Sequence, residues 1–107
     1  MRRLAVRLAL TVLALAAGCA GLRAGRMFPS PEPAQITVNV TDKAALVRMF
    51  GEPYQVGLDG GDQTWRWFYA EHTGEASKDF SVRFNPNGTV KSYSFTSNFP
   101  DDMKRLR

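Results

Sequence analysis

Hydrophobic and polar positions alternate most clearly in the second half of the chain. Over Asp79 to Asn85, Phe80, Val82 and Phe84 fall on one face; over Thr89 to Ser97, Tyr93 and Phe95 oppose Ser92, Ser94 and Thr96. A period of two sustained over such lengths predicts half-buried strands. Thr64 to Glu71 predicts a third, with Trp65, Trp67 and Tyr69 on one side and Arg66 and Phe68 on the other. Asn85-Pro86-Asn87-Gly88 lies between the last two strands. Asn and Gly tolerate the positive φ of tight hairpins, so a turn is predicted there. His72 to Lys78 makes the longer loop of the preceding hairpin. Tyr54 to Asp62, with Gly57, Asp59, Gly60 and Gly61, reads as a turn-rich crossing.

Upstream the period changes. Leu46, Met49 and Phe50 recur at helical spacing within Asp42 to Phe50, with Thr41 placed to cap the N-terminus and Asp42 in the first turn. Gly51 supplies a stop and Pro53 prevents continuation. Ile36 to Val40 alternates β-branched and polar residues and reads as a short strand or extended lead-in. The prediction is an α+β domain over residues 36–100, one short helix (with room for a second) packed on a three-stranded antiparallel β-meander. Pro29, Pro31 and Pro33 mark residues 19–35 as an extended tether, in which Met27-Phe28 is the apolar break and a candidate for docking onto the domain or a partner. Residues 101–107 form a charged tail.

The first residues have a different logic. Arg2, Arg3 and Arg7 precede the apolar run Leu8 to Ala17, and small residues lead into Cys19, the single cysteine of the chain. This is the layout of an export signal over residues 1–18. The charge-free run from Leu8 to Leu22 is shorter than the roughly 20 residues that span a bilayer. In an exported chain Cys19 is the lipidation candidate, because one cysteine cannot form an internal disulfide. Ordinary secretory cleavage after Ala14-Leu15-Ala16 is the competing reading. Removal of the signal takes three of the 14 Lys and Arg residues and leaves 11 against 10 Asp and Glu, a net of +1. That balance argues against nucleic acid as a partner.

Export signal, cysteine and Pro-rich tether are followed by Phe50-Gly51-Glu52-Pro53, Trp65 to Tyr69, and the Phe84 to Val90 hairpin. In this order they resemble the SmpA/OmlA (BamE-like) outer-membrane lipoproteins, over most of Val40 to Phe95. In that family a helix ends in a Gly-x-Pro corner, an aromatic strand follows, and a hairpin carries an F-x-x-x-G-x-V pattern. The resemblance implies a periplasm-facing, lipid-anchored protein of the outer membrane. Its implied role is that of an accessory scaffold in β-barrel assembly or envelope integrity, with the barrel-assembly machinery as protein partner. It also implies a second helix ahead of the first, where this chain has the β-like Ile36 to Val40. Ala20 after the cysteine matches the sorting pattern that releases such lipoproteins to the outer membrane.

Enzymatic chemistry finds little to use. His72 is the only histidine, and although Glu71 and Glu75 stand near it, no second imidazole or thiolate completes a metal site. Asp59-Gly60-Gly61-Asp62 lacks the ligand spacing of a calcium loop. No nucleophile elbow or phosphate loop is present. No catalytic residue, metal or cofactor is therefore expected. The candidate partner surface is Arg66, Phe68 and Arg83, which share the strand face opposite the core aromatics. Aromatic and Arg side chains are enriched at interfaces. Lys104, Arg105 and Arg107 in the tail could touch anionic headgroups. The alternative reading is a periplasmic small-ligand-binding or enzyme-inhibitor module on a similar scaffold.

Overall fold

The computed structural model describes residues 22–71 and 75–107. The export signal, Cys19 and His72 lie outside the described residues. The chain is α+β, and its antiparallel sheet holds five described strands: β1 (Arg23–Gly25), β2 (Gln55–Asp59), β3 (Asp62–Glu71), β4 (Ala76–Phe84) and β5 (Val90–Ser97). Helix α1 covers Lys43–Phe50, and helix α2 covers Pro100–Leu106. The three expected strands are β3, β4 and β5, paired in a meander as anticipated. The count of three is corrected by β1 and β2, which lie end to end along the free side of β3.

Each addition has a physical cause. β2 is the stretch expected to be a turn-rich crossing. Its turn is only Gly60-Gly61, both at positive φ (59° and 88°), closing a two-residue hairpin between Asp59 and Asp62. β1 is three residues long and shows no period of its own. It is held by backbone pairing, with Arg23 opposite Glu71 and Gly25 opposite Tyr69. Glycine is required there: a Cβ on Gly25 would stand 2.1 Å from the Phe68 carbonyl oxygen, and the residue sits at φ 76°.

Helix α1 buries Leu46 and Phe50, with Met49 partly buried beside them, so the predicted stripe faces the sheet. The cap lies one residue later than expected. Asp42 Oδ1 accepts from the Ala45 N–H at 2.9 Å, while Thr41 Oγ1 is occupied by the Thr37 N–H at 2.8 Å. That second bond belongs to a turn at Thr37 to Val40, with Asn39 at φ 68°, where a strand was expected. The turn still serves the sheet. The Asn39 N–H donates to the Val90 carbonyl, and the Val90 N–H to Thr41, each at 2.8 Å, covering the start of β5.

One cluster forms the core: Leu46 and Phe50 from α1, Trp67 and Tyr69 from β3, Phe80, Val82 and Phe84 from β4, and Val90. Phe28 and Ile36 complete it. The Phe50 ring meets Phe80 edge-on at 5.1 Å, and Trp67 stacks on Phe80 at 5.2 Å. The stretch expected as a tether thus runs along the domain from Leu22, because Phe28, 2 % exposed, has more to gain in the core than in water. The chain end also differs from a charged tail. Pro100 opens α2, Asp101 and Asp102 occupy its first turn and Lys104 and Arg105 its last, each where the helix dipole favours that charge.

Phe28→Ala is expected to cost ~3–5 kcal/mol, as for a fully buried aromatic. The urea midpoint reports it; an unchanged midpoint would mean that the segment is a spacer after all.

Candidate partner surface

Both helices pack on one face of the sheet, so the residues between the core positions of β3 and β4 form the other. Arg66, Phe68 and Arg83 all stand on it, at register positions opposite Ser81, Asp79 and Thr64 respectively. Two of the three are in contact. The Arg66 guanidinium lies 4.7 Å from the centroid of the Phe68 ring, and the Tyr54 ring lies beside Phe68, tilted by 37° with the centroids 6.2 Å apart. Such stacking is worth about 0.5–1 kcal/mol on an exposed surface.

Arg66 is also fixed from across the strands. Its Nε donates to both oxygens of Asp79 at 3.0 and 2.9 Å, its Nη2 to Oδ2 at 2.5 Å, and its Nη1 to Gln55 Oε1 at 2.9 Å. The hydrogen bond to Asp79 raises the guanidinium above the ordinary arginine range, against a smaller opposing effect of burial. Arg83 belongs to a separate cluster. It pairs with Asp59 and lies 3.6 Å from Asp62, which also holds Lys91 at 2.8 Å. The Lys91 hydrogen bond is the main cause that holds the Asp62 carboxyl below its usual value. The face therefore offers a preorganised Tyr54–Phe68–Arg66 stack with its charge largely met, and a second charged knot that clamps the β2–β3 turn. Sequence inspection sees the arginines; it does not see the carboxylates that register places opposite them.

Among the described residues, no group of three or more His, Cys, Asp or Glu side chains is placed to hold a metal. Open grooves of about 680 and 440 Å³ flank β2, the first lined by Gln55, Val56, Thr64 and Arg66.

A cluster not anticipated from the sequence lies under α2. Lys78 and Asp102 are both buried, and Ser30 joins them. Lys78 Nζ donates to Ser30 Oγ at 3.2 Å, and Ser30 Oγ–H donates to Asp102 Oδ2 at 2.9 Å. Ser97 Oγ–H donates to the same oxygen at 2.7 Å. The ammonium sits 4.8 Å from the Phe28 ring and 5.5 Å from Phe99. Arg105 Nη2 donates to the Pro31 carbonyl at 3.1 Å. This cluster sews the N-terminal segment and α2 to β4. Lys78 falls on the apolar face of its strand, in phase with Phe80, Val82 and Phe84, and that position is the signal that could have revealed it.

Burial pushes Lys78 below the ordinary lysine range, with Asp102 opposing. Burial alone would raise Asp102; the Ser97 and Ser30 hydrogen bonds, with Lys78 and Arg105, outweigh it and hold the carboxyl below its ordinary 3.8. A depressed carboxyl contributes stability that is present above the unfolded value and lost as pH falls through the folded one. Wild type is therefore expected to lose unfolding free energy on acidification below about pH 5. Asp102→Asn should flatten that dependence and lower stability near neutrality by ~1–3 kcal/mol. Urea titrations across pH check both, and parallel curves for the two proteins would remove Asp102 from the acid response.

Compared with known proteins, the chain matches no family model, no curated protein and no solved structure, so its likeness to the SmpA/OmlA lipoproteins rests on the sequence motifs alone.

Proposed function

We propose that this chain is a non-enzymatic lipoprotein of the outer membrane that acts as an accessory scaffold in β-barrel assembly or envelope integrity. The observation that carries the reading is the passage from an export-signal pattern into Cys19, the only cysteine. Acylated there, the chain meets the membrane four residues before β1 begins at Arg23. Four residues reach at most ~14 Å. The domain is then held close to the bilayer, and its sheet face works at short range from the anchor.

The Tyr54–Phe68–Arg66 stack supports the partner-binding half of the reading. Its rings are ordered before any partner arrives, so little conformational freedom is lost on binding. With the guanidinium already paired to Asp79, the surface suits a protein partner that presents an apolar patch to the rings. Arg83, tied into the turn, serves to hold the β2–β3 hairpin in place.

A mild-detergent pull-down of the tagged protein tests the reading, with Cys19→Ala and Arg66→Ala/Phe68→Ala alongside. Wild type is expected to recover barrel-assembly components from the membrane fraction. Cys19→Ala should release the protein from membranes. The surface variant should stay anchored and lose recovery by about tenfold or more, the scale of a hot-spot pair. A Cys19→Ala protein still bound to membranes would sink the lipid anchor. Recovery of no barrel-assembly component would favour the ligand-binding or inhibitor alternative.

A further inference from the structure

β2 is the least covered element of the domain. It pairs with β3 on one side only, all five of its residues are exposed, and Val56 and Leu58 are 70 % and 75 % exposed. These two side chains stand on the packed face of the sheet, opposite Trp65 and Gln63 in register, at the margin that α1 does not reach. Lys43 marks that margin, with its ammonium 5.4 Å from the Trp65 ring and 5.1 Å from Phe84. The result is an apolar step beside an open strand edge, bordering the groove of about 440 Å³ lined by Lys43, Gln63 and Trp65.

Open edges are normally blunted by charge, proline or a bulge. At β5 the start of the edge is covered by a turn, in which Asn39 and Thr41 bond Val90, and the charged Lys91 follows. β2 holds no proline, and its one charge, Asp59, is paired with Arg83. The sequence there is instead symmetric in character: Gln55-Val56-Gly57-Leu58-Asp59 runs polar, apolar, Gly, apolar, polar.

We infer that β2 is a self-pairing edge, at which two copies of this chain join antiparallel about a two-fold axis through Gly57. In this register each Val56 faces Leu58 of the second copy, and each Asp59 faces Gln55 of the second copy. The two Asp59 carboxylates lie about 14 Å apart along the strands, four residues at ~3.4 Å each, and each keeps its own Arg83. Moving the axis to Val56 sets Leu58 opposite Tyr54, whose N–H is already given to the Arg66 carbonyl at 2.8 Å. Moving it to Leu58 leaves Val56 facing Gly60 and brings the Asp59 pair closer together. Any slip by one residue puts the Val56–Leu58 pairs of the two copies on opposite faces of the joined sheet. The Gly57 axis pairs both apolar residues of β2 with apolar partners and keeps like charges apart, which is the self-complementarity an isologous contact needs. The product is one continuous sheet across both copies, with their Tyr54–Phe68–Arg66 stacks on the same face.

A contact of five residues a side falls below the ~1,200 Å² of standard interfaces, so association is weak and concentration-dependent. The test is sedimentation equilibrium of the membrane-extracted protein in density-matched detergent, from about 10 µM to about 1 mM. Wild type should dimerise within that range. Val56→Lys/Leu58→Lys places Lys opposite Lys twice and should weaken the dimer by about tenfold or more. Val56→Lys/Leu58→Glu places Lys opposite Glu twice and should restore it. Both pairs of substitutions are at surface positions, and far-UV circular dichroism verifies that each variant folds. A wild type that is monomeric throughout overturns the inference, as does a Lys/Lys variant that dimerises as well as wild type. A Lys/Glu variant no better than Lys/Lys excludes the register. Retention of a foreign extended peptide by a monomeric wild type would assign the edge to another occupant and also overturn self-pairing.

Discussion

Trp67 is the point on which the arrangement depends. Its ring stacks on Phe80 of the next strand and meets the edge of Phe50 from the helix, while its indole N–H donates to the Gly51 carbonyl at 3.0 Å. One side chain thus fixes strand to strand, sheet to helix, and the last turn of the helix to its stop. The indole also satisfies a carbonyl that the helix leaves without an internal partner. With the core settled on that side, the alternation of β3 and β4 sends Arg66, Phe68 and Arg83 to the other, where no described element covers them. The candidate surface is a by-product of where Trp67 points.

A second constraint acts at the chain ends. Placing Lys78 on the apolar face would be costly for an isolated ammonium. The cost is offset by Ser30, by two aromatic faces and by the nearby Asp102 carboxylate, itself held by two serine hydroxyls. No buried side-chain polar atom among the described residues lacks a partner. Such a network is stabilising only when complete, because removal of one member strands a buried charge. It makes the N-terminal segment and α2 depend on each other although 72 positions separate Ser30 from Asp102.

What could be read from the sequence followed side-chain periodicity. Phe80, Val82 and Phe84, the Leu46–Phe50 stripe and the Asn85–Gly88 turn all declare themselves locally. β1 could not be seen, because Arg23-Ala24-Gly25 is recruited by backbone bonds and by the missing Cβ of Gly25, not by an apolar pattern. β2 was hidden by its glycines and by Val56 and Leu58 pointing at an uncovered margin. Helix α2 carried ordinary start and stop signals in Pro100, Asp101 and Lys104, but its charges resembled a solvated end. Of the candidate surface, the shared face of its three residues was legible from parity alone. The Arg66–Asp79 and Arg83–Asp59 pairings were not, since they follow from strand register, which no single strand encodes.

The place where the chain enters the sheet has a mechanical consequence. β1 is a three-residue edge strand that hangs from the distal end of β3, beside the only stretch of chain that leads toward Cys19. Tension arriving from that side loads β1 before anything else. Only the backbone pairing at three positions holds β1, and all three of its residues are exposed, so this strand gives way at less cost than the rest of the sheet. The next resistance is Phe28, locked in the core beneath Lys78. Were the chain anchored at Cys19 as proposed, its attachment point would hold a fuse: a small pull would lengthen the leash while Trp67 and everything it organises stayed intact.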